Sequence, residues 1–90
     1  MEARRIVRIV NRAGLHARPC HSLASTALRF QSPLRVRCRD HEVDGRSILE
    51  LMTLAAAQGD ELEFAAAGPD AEALVERLSQ LVSSGFSEQD

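Results

Sequence analysis

The stretch LRVRCR occupies residues 34–39 and alternates apolar side chains with arginines at every step. A period of two predicts a β-strand with one face against a core and one face in water. Leu34, Val36 and Cys38 are expected to point inward, and the three arginines outward. The stretch therefore predicts an antiparallel sheet with one solvated face.

The segment ELEFAA at residues 61–66 repeats this alternation with Leu62, Phe64 and Ala66 on the inward side. If it lies beside the strand at 34–39, its glutamates can pair with the arginines across the two strands. Such pairing would account for much of the charge in the sequence without any binding function. Residues 4–10 and 41–44 are weaker strand candidates.

Two helices are predicted by apolar residues at three-four spacing. The first covers about 17–29, and the last follows Pro69, which suits a first helical position, and ends near Gly85. The inward faces are expected to consist of Cys20, Leu23, Ala24, Ala27 and Leu28 in the first helix and Ala71, Leu74, Val75, Leu78, Leu81 and Val82 in the last.

A shorter helix is expected from Ser47, because Glu50 three residues later gives the spacing of a capping box. Its inward face would consist of Ile48, Leu51, Met52 and Ala55, which leaves Leu49 exposed. The resulting order βαββαβα predicts an α+β fold with four antiparallel strands and three helices on one face.

The length of 90 residues fits one domain, spanning 1–90. Arginines interrupt the apolar residues at the start, and no later stretch is long and apolar enough for a membrane span, so we expect a cytoplasmic protein without membrane insertion. Cys20 and Cys38 form no CxxC pair and are expected to be free, buried thiols.

The charge is uneven along the chain. Ten of the eleven arginines lie in residues 1–46, while nine of the thirteen acidic residues lie in 47–90. A basic half is compatible with nucleic-acid binding, but only three phenylalanines are present as stacking platforms. Clustered positive charge more often forms a solvated basic face than a nucleic-acid site. No nucleic-acid partner is therefore expected.

The motif AGLHARPC at residues 13–20 is the main candidate for chemistry. Gly14 permits a sharp turn and Pro19 suits a first helical turn, which places His16 at or beside a helix N-cap. The free backbone amides there favour a phosphate, and Arg18 can bind phosphoryl oxygens with two hydrogen bonds. The positive end of the helix also disfavours an imidazolium, so a neutral nucleophilic ring is expected.

Two ordinary alternatives stand beside this interpretation. A histidine near a helix start is most often a cap or a surface residue. His16, Cys20, His21, Cys38 and His41 could in principle ligate a metal, but no pair shows familiar ligand spacing, and we expect neither a metal nor a cofactor.

With these motifs, the sequence resembles the HPr family, the histidine phosphocarriers of the bacterial phosphoenolpyruvate-dependent phosphotransferase system. GLHARP at 14–19 resembles the family's active-site motif, and GRSILELMTLAAAQGDELEF at 45–64 is similar to its second signature. The resemblance implies an open-faced β-sandwich in which His16 is phosphorylated on Nδ1 by enzyme I and passes the group to an enzyme IIA domain. Arg18 and the backbone amides of Ala17 and Arg18 would hold the phosphoryl group.

The resemblance further implies an apolar docking patch of Ile48, Leu49 and Met52, and a monomeric protein. It matches Ser47 to a position that an HPr serine kinase/phosphorylase modifies in some lineages, although a cap alone would also require this hydroxyl. A module of the same fold that signals by docking, without phosphoryl transfer, is the main alternative.

Several positions depart from the family pattern and bear on partner choice. Cys20 and His21 replace small or polar residues, Ser25 and Leu28 stand where many sugar-system members carry lysines, and Glu50 adds negative charge beside the patch. AAAGPDAEAL and the ending LVSSGFSEQD resemble the nitrogen-related branch. Sugar transport and a regulatory phosphorelay both stay open.

Overall fold

The computed structural model describes residues 1–88 and has the predicted order of elements, so the α+β interpretation is confirmed. A short 3₁₀ turn, Gly85–Ser87, follows the last helix. The elements are β1 (Glu2–Arg8), α1 (Ala17–Ala27), β2 (Leu34–Cys38), β3 (His41–Asp44), α2 (Ile48–Met52), β4 (Glu61–Ala67) and α3 (Ala71–Ser83).

The four strands form one antiparallel sheet in the order β1-β4-β2-β3. β2 and β4 are neighbours, as the charge pattern suggested, and Arg37 Nη2 lies 2.7 Å from Glu63 Oε1. The same carboxylate group also lies 3.7 Å from Arg4 of β1. Rows of opposite charge therefore cover the solvated face of the sheet.

The other face of the sheet packs against the helices and forms the core. The predicted inward residues of β2 and β4 are all buried, and Phe64 is completely shielded from solvent. Cys20 and Cys38 are buried free thiols, as expected. Burial of this apolar face against the helices is the main stabilisation of such a two-layer fold.

β1 differs from the prediction in position and in pattern. It covers Glu2–Arg8 and ends before Ile9, so the predicted strand at 4–10 was displaced toward the C-terminal side. Arg5 lies on the inward side and is half-buried, with its guanidinium 3.1 Å from the Glu76 carboxylate on α3. A long arginine stem can cover apolar surface while its charged end reaches a partner. Because Arg5 occupies an inward position in this way, β1 does not show the apolar–polar alternation of a half-buried strand.

The ends of two helices also correct the predictions. α1 ends at Ala27, and Leu28, predicted to face inward, is 62% exposed at the C-cap. α2 ends at Met52, which is 43% exposed, and Ala55 beyond it has a left-handed φ of 50° and is exposed. A left-handed residue ends a helix, so the three-four pattern cannot continue through Ala55.

The predicted start of α3, at Pro69, was wrong by two residues, because the helix begins at Ala71. Asp70 is the N-cap, and Pro69 therefore lies outside the helix. The Asp70 carboxylate accepts hydrogen bonds from the backbone amides of Gln31 and Ser32, each at 2.9 Å. This aspartate thus fixes the α1–β2 connection against the start of α3. Gly85 stands just beyond the end of α3, with a φ of 68°, as the prediction required.

In the described part of the chain, residues 1–88, no helix is long and apolar enough to cross a membrane. The tail that suggested the nitrogen-related branch ends in residues 89 and 90, which lie outside the described residues.

Candidate functional site

The loop from β1 to α1 is held in a sharp turn at Gly14. Gly14 has a φ of 71°, and the next amide, of Leu15, donates to the Ala56 carbonyl at 2.9 Å. A β-carbon at position 14 would lie 2.7 Å from the Ala56 oxygen. The close approach of two backbone segments therefore requires glycine, as the motif predicted.

Replacing Gly14 with alanine is expected to destabilise the protein by more than the roughly 1–2 kcal/mol of a left-handed alanine, because the new methyl also meets backbone. Gly59→Ala is the matched control, since Gly59 has a φ of 93° but nothing within 4 Å of an added β-carbon. Urea unfolding of both variants measures the difference. Equal losses of stability would show that the contact with Ala56 adds nothing.

His16 is the N-cap of α1, as predicted. Its carbonyl accepts the first hydrogen bond of the helix from the Cys20 amide, at 3.0 Å. Its side chain makes no capping bond, so the ring is not occupied with the helix amides. The amides of Ala17 and Arg18, in the first turn, precede any possible intrahelical partner and are available to an anion.

The His16 ring is instead bound by a carboxylate from the far end of the described chain. Nε2 of His16 lies 2.7 Å from Oε2 of Glu88, while Oε1 of Glu88 accepts from the Asn11 side-chain amide at 2.9 Å. The Asn11 nitrogen also donates to the Gly14 carbonyl at 2.9 Å. The β1–α1 loop and the end of the described chain, two segments far apart in sequence, thus meet at one imidazole.

Glu88 and Asn11 were not predicted as site residues. Glu88 lies 72 residues from His16, and no spacing rule connects the two. The 3₁₀ turn provides the link, because Phe86 is buried and a β-carbon on Gly85 would lie 3.7 Å from the Asn11 β-carbon. The turn therefore runs along the β1–α1 loop and carries Glu88 to the ring.

The neighbouring cysteine and the other histidines are not gathered around this ring. Burial raises the pKa of the Cys20 thiol to about 11, so this side chain stays protonated and inert near neutral pH. His21 lies beside Ser25 on α1, and His41 contacts Thr53. Within residues 1–88, no three His, Cys, Asp or Glu side chains form a metal-binding group.

The comparisons with known proteins decide the family. The family model described as the PTS HPr component phosphorylation site matches residues 3–84. The chain belongs to the HPr family. It is 37% identical to the phosphocarrier protein HPr of Treponema pallidum over 83 residues, covering 92% of this chain and 94% of that protein.

Solved structures agree with this membership. The crystal structure of HPr-C-His from Thermoanaerobacter tengcongensis superposes with a TM-score of 0.92 at 33% identity, covering 98% of this chain and 99% of that one. An HPr dimer from the same organism gives a TM-score of 0.77 at 35% identity over 91% and 94% of the two chains. The fold is thus the open-faced HPr sandwich, and the function is that of a phosphocarrier in the phosphotransferase relay.

The predicted docking residues of the HPr pattern lie on and around α2. Leu49 is 79% exposed and Met52 43% exposed, while Ile48 is half-buried against the core. Ser47 caps α2 by accepting from the Glu50 amide at 3.1 Å. The other half of the expected capping box is absent, because Glu50 Oε1 accepts from the Asp44 amide instead.

Proposed function

We propose that His16 is the phosphoryl acceptor of this HPr-family carrier and that its Nδ1 forms the bond to phosphorus. The observation that supports this most is the position of His16 at the N-cap of α1 with no capping bond of its own. Its other ring nitrogen, Nε2, is already bound to Glu88. A neutral ring with hydrogen on Nε2 has its lone pair on Nδ1.

The surroundings of the ring suit a transferred phosphoryl group. Backbone amides of Ala17 and Arg18 lie at the positive end of α1, where anions are stabilised. The Arg18 side chain is exposed and makes no ion pair with a carboxylate in the part of the chain that the structure describes. A guanidinium in this position can bind phosphoryl oxygens with two hydrogen bonds.

Enzyme I is the proposed donor and an enzyme IIA domain the proposed acceptor. The exposed Leu49 and Met52 provide an apolar surface of the kind that interfaces bury at their centre. The same surface supports the second candidate, a module that acts by docking alone. Phosphoryl transfer through His16 distinguishes the two, because a docking module needs no phosphorylated ring.

The test is to incubate the protein with phosphoenolpyruvate and enzyme I and to locate the acid-labile label by peptide mapping. The label is expected in the fragment that contains His16, with a phosphorus resonance typical of Nδ1-phosphohistidine. Enzyme I must be shown to be active on another carrier in parallel. An unlabelled protein under those conditions would leave the docking module as the better hypothesis.

Ser47 is proposed as a second, regulatory phosphorylation site for an HPr serine kinase/phosphorylase. Ser47 is half-buried and its hydroxyl accepts from the Glu50 amide, so a kinase must first release the cap. Incubation with ATP and the kinase of the same organism is expected to label the wild type but not Ser47→Ala. Absence of label on the wild type would leave Ser47 as a helix cap alone, a role that typically stabilises a protein by about 1 kcal/mol.

We further propose that residues 1–90 act as one HPr-like domain, cytoplasmic and monomeric. The single core cluster shared by all three helices and the sheet supports one folding unit. Light scattering tests the monomer, since one similar solved structure is an HPr dimer.

A further inference from the structure

We infer that Glu88, oriented by Asn11, is a positioning residue that holds a proton on Nε2 of His16 before and after phosphorylation. This inference rests on the proposed role of His16. It assigns to a residue outside the GLHARP motif the task of fixing which ring nitrogen reacts and of keeping the phosphorylated ring cationic.

The contacts define the direction of each hydrogen bond around Glu88. One carboxylate oxygen faces Nε2 of His16 at 2.7 Å, and the other faces Nδ2 of Asn11 at 2.9 Å. Asn11 must present its nitrogen here, because its two partners, Glu88 and the Gly14 carbonyl, can only accept. An ionised carboxylate likewise only accepts, so the hydrogen of the neutral ring lies on Nε2.

Burial and charge support an ionised Glu88. Its side chain is 12% exposed, against 43% for His16. Such burial by itself would raise the pKa of the Glu88 carboxyl, but hydrogen bonds from Asn11 and His16, with the positive charge of Arg18 nearby, lower it overall. The carboxylate is thus retained at neutral pH, in a partly desolvated place where its effect on the ring is weakly screened.

The hydrogen bonds of Asn11 orient this carboxylate. It is 5% exposed, and its Nδ2 bridges Gly14 of the active-site turn and Glu88. Its Oδ1 is buried and has no hydrogen-bond partner within residues 1–88. Leaving a buried acceptor unpaired costs free energy, so the nitrogen's two bonds must fix the orientation of the amide.

The chemical step needs no proton transfer at His16. The Nδ1 lone pair forms the bond to phosphorus, and the bond from phosphorus to the donor breaks with its electron pair left on the donor. The ring then carries phosphorus on Nδ1, hydrogen on Nε2 and a positive charge. The Glu88 carboxylate faces that charge directly, while Arg18, the other charged side chain near the pair within residues 1–88, opposes it.

Onward transfer reverses this arrangement. The bond between Nδ1 and phosphorus breaks, its electron pair returns to the ring, and the neutral ring with hydrogen on Nε2 is restored. A cationic ring is the better leaving group, because it departs as a neutral imidazole. By keeping the Nε2 proton in place, Glu88 keeps the phosphoryl group transferable at higher pH.

The experiment phosphorylates the full chain with enzyme I and phosphoenolpyruvate and follows the ring resonances of phosphorylated His16 against pH. In Glu88→Ala the Nε2 proton should be lost at a pH lower by roughly one unit, since an opposite charge at hydrogen-bond distance shifts such equilibria by at least that much. Glu88→Gln, which keeps the shape but not the charge, should show most of the same shift.

Glu72→Ala is the matched control, because Glu72 is an exposed glutamate in the first turn of α3 and should leave the titration unchanged. Titrations of Glu88→Ala and wild type that coincide would overturn the inference. A wild type that takes no label on His16 would instead overturn the proposed function, so the two failures are distinguishable.

Discussion

The His16→Ala variant is expected to accept no phosphoryl group from enzyme I and phosphoenolpyruvate, a loss of labelling to background. The expectation follows from the chemistry, because the variant has no nitrogen nucleophile at the N-cap of α1. His16 is 43% exposed and makes no capping bond, so its removal should cost no more stability than the loss of its hydrogen bond to Glu88 and should leave the protein folded. Incorporation of label, measured beside urea unfolding, checks both parts.

His21→Ala is the matched control for this loss. His21 is an exposed histidine on the same helix, with only Ser25 as a side-chain partner among the described residues, and its variant should be labelled like the wild type. His41→Ala tests the remaining histidine. If His16→Ala still takes some label, His21→Ala or His41→Ala is added to it. Loss of that label in one of these double variants would identify the second histidine as the acceptor and contradict our assignment.

The sequence carried enough signal for the fold because its strongest patterns lie in buried elements. The alternation of β2 and β4 survives in the structure, since one face of each strand must be buried and the other solvated. The predicted inward and outward positions were wrong where a charged side chain lies inward or an apolar one lies just past a helix end. Arg5 lies inward by extending its charged end to Glu76, and Leu28 ends exposed just past α1.

The active-site motif was predictable for a different reason. Gly14, His16 and Arg18 lie within five residues, where turn and helix-cap rules act on local sequence. Glu88 could not be found in this way, because its contact with His16 depends on how α3 and the 3₁₀ turn pack. Glu50 shows a related limit: its amide serves the Ser47 cap as predicted, but its carboxylate finds the Asp44 amide.

Replacing Phe64 with alanine is expected to lower the free energy of unfolding by about 3–5 kcal/mol, the usual cost of emptying a buried phenylalanine site. Phe64 is fully buried in β4, opposite Arg5 of β1 and Val36 of β2, at the centre of the sheet. Backbone pairing on both sides prevents the strands from closing the cavity. A domain of this size has a total stability of roughly 5–13 kcal/mol, so much of it would be lost.

Phe30→Ala separates this effect from the loss of any aromatic ring. Phe30 is only partly buried against the same core, and its variant should lose about 1–2 kcal/mol, because part of the ring is already in contact with water. Urea unfolding, with the slope of each transition compared, gives both values. Equal losses would mean that the centre of the sheet relaxes around the missing ring.

Phe64 lies in the core and His16 on the surface, so the folded fraction of Phe64→Ala should still accept a phosphoryl group. This variant therefore separates the stability of the protein from its chemistry.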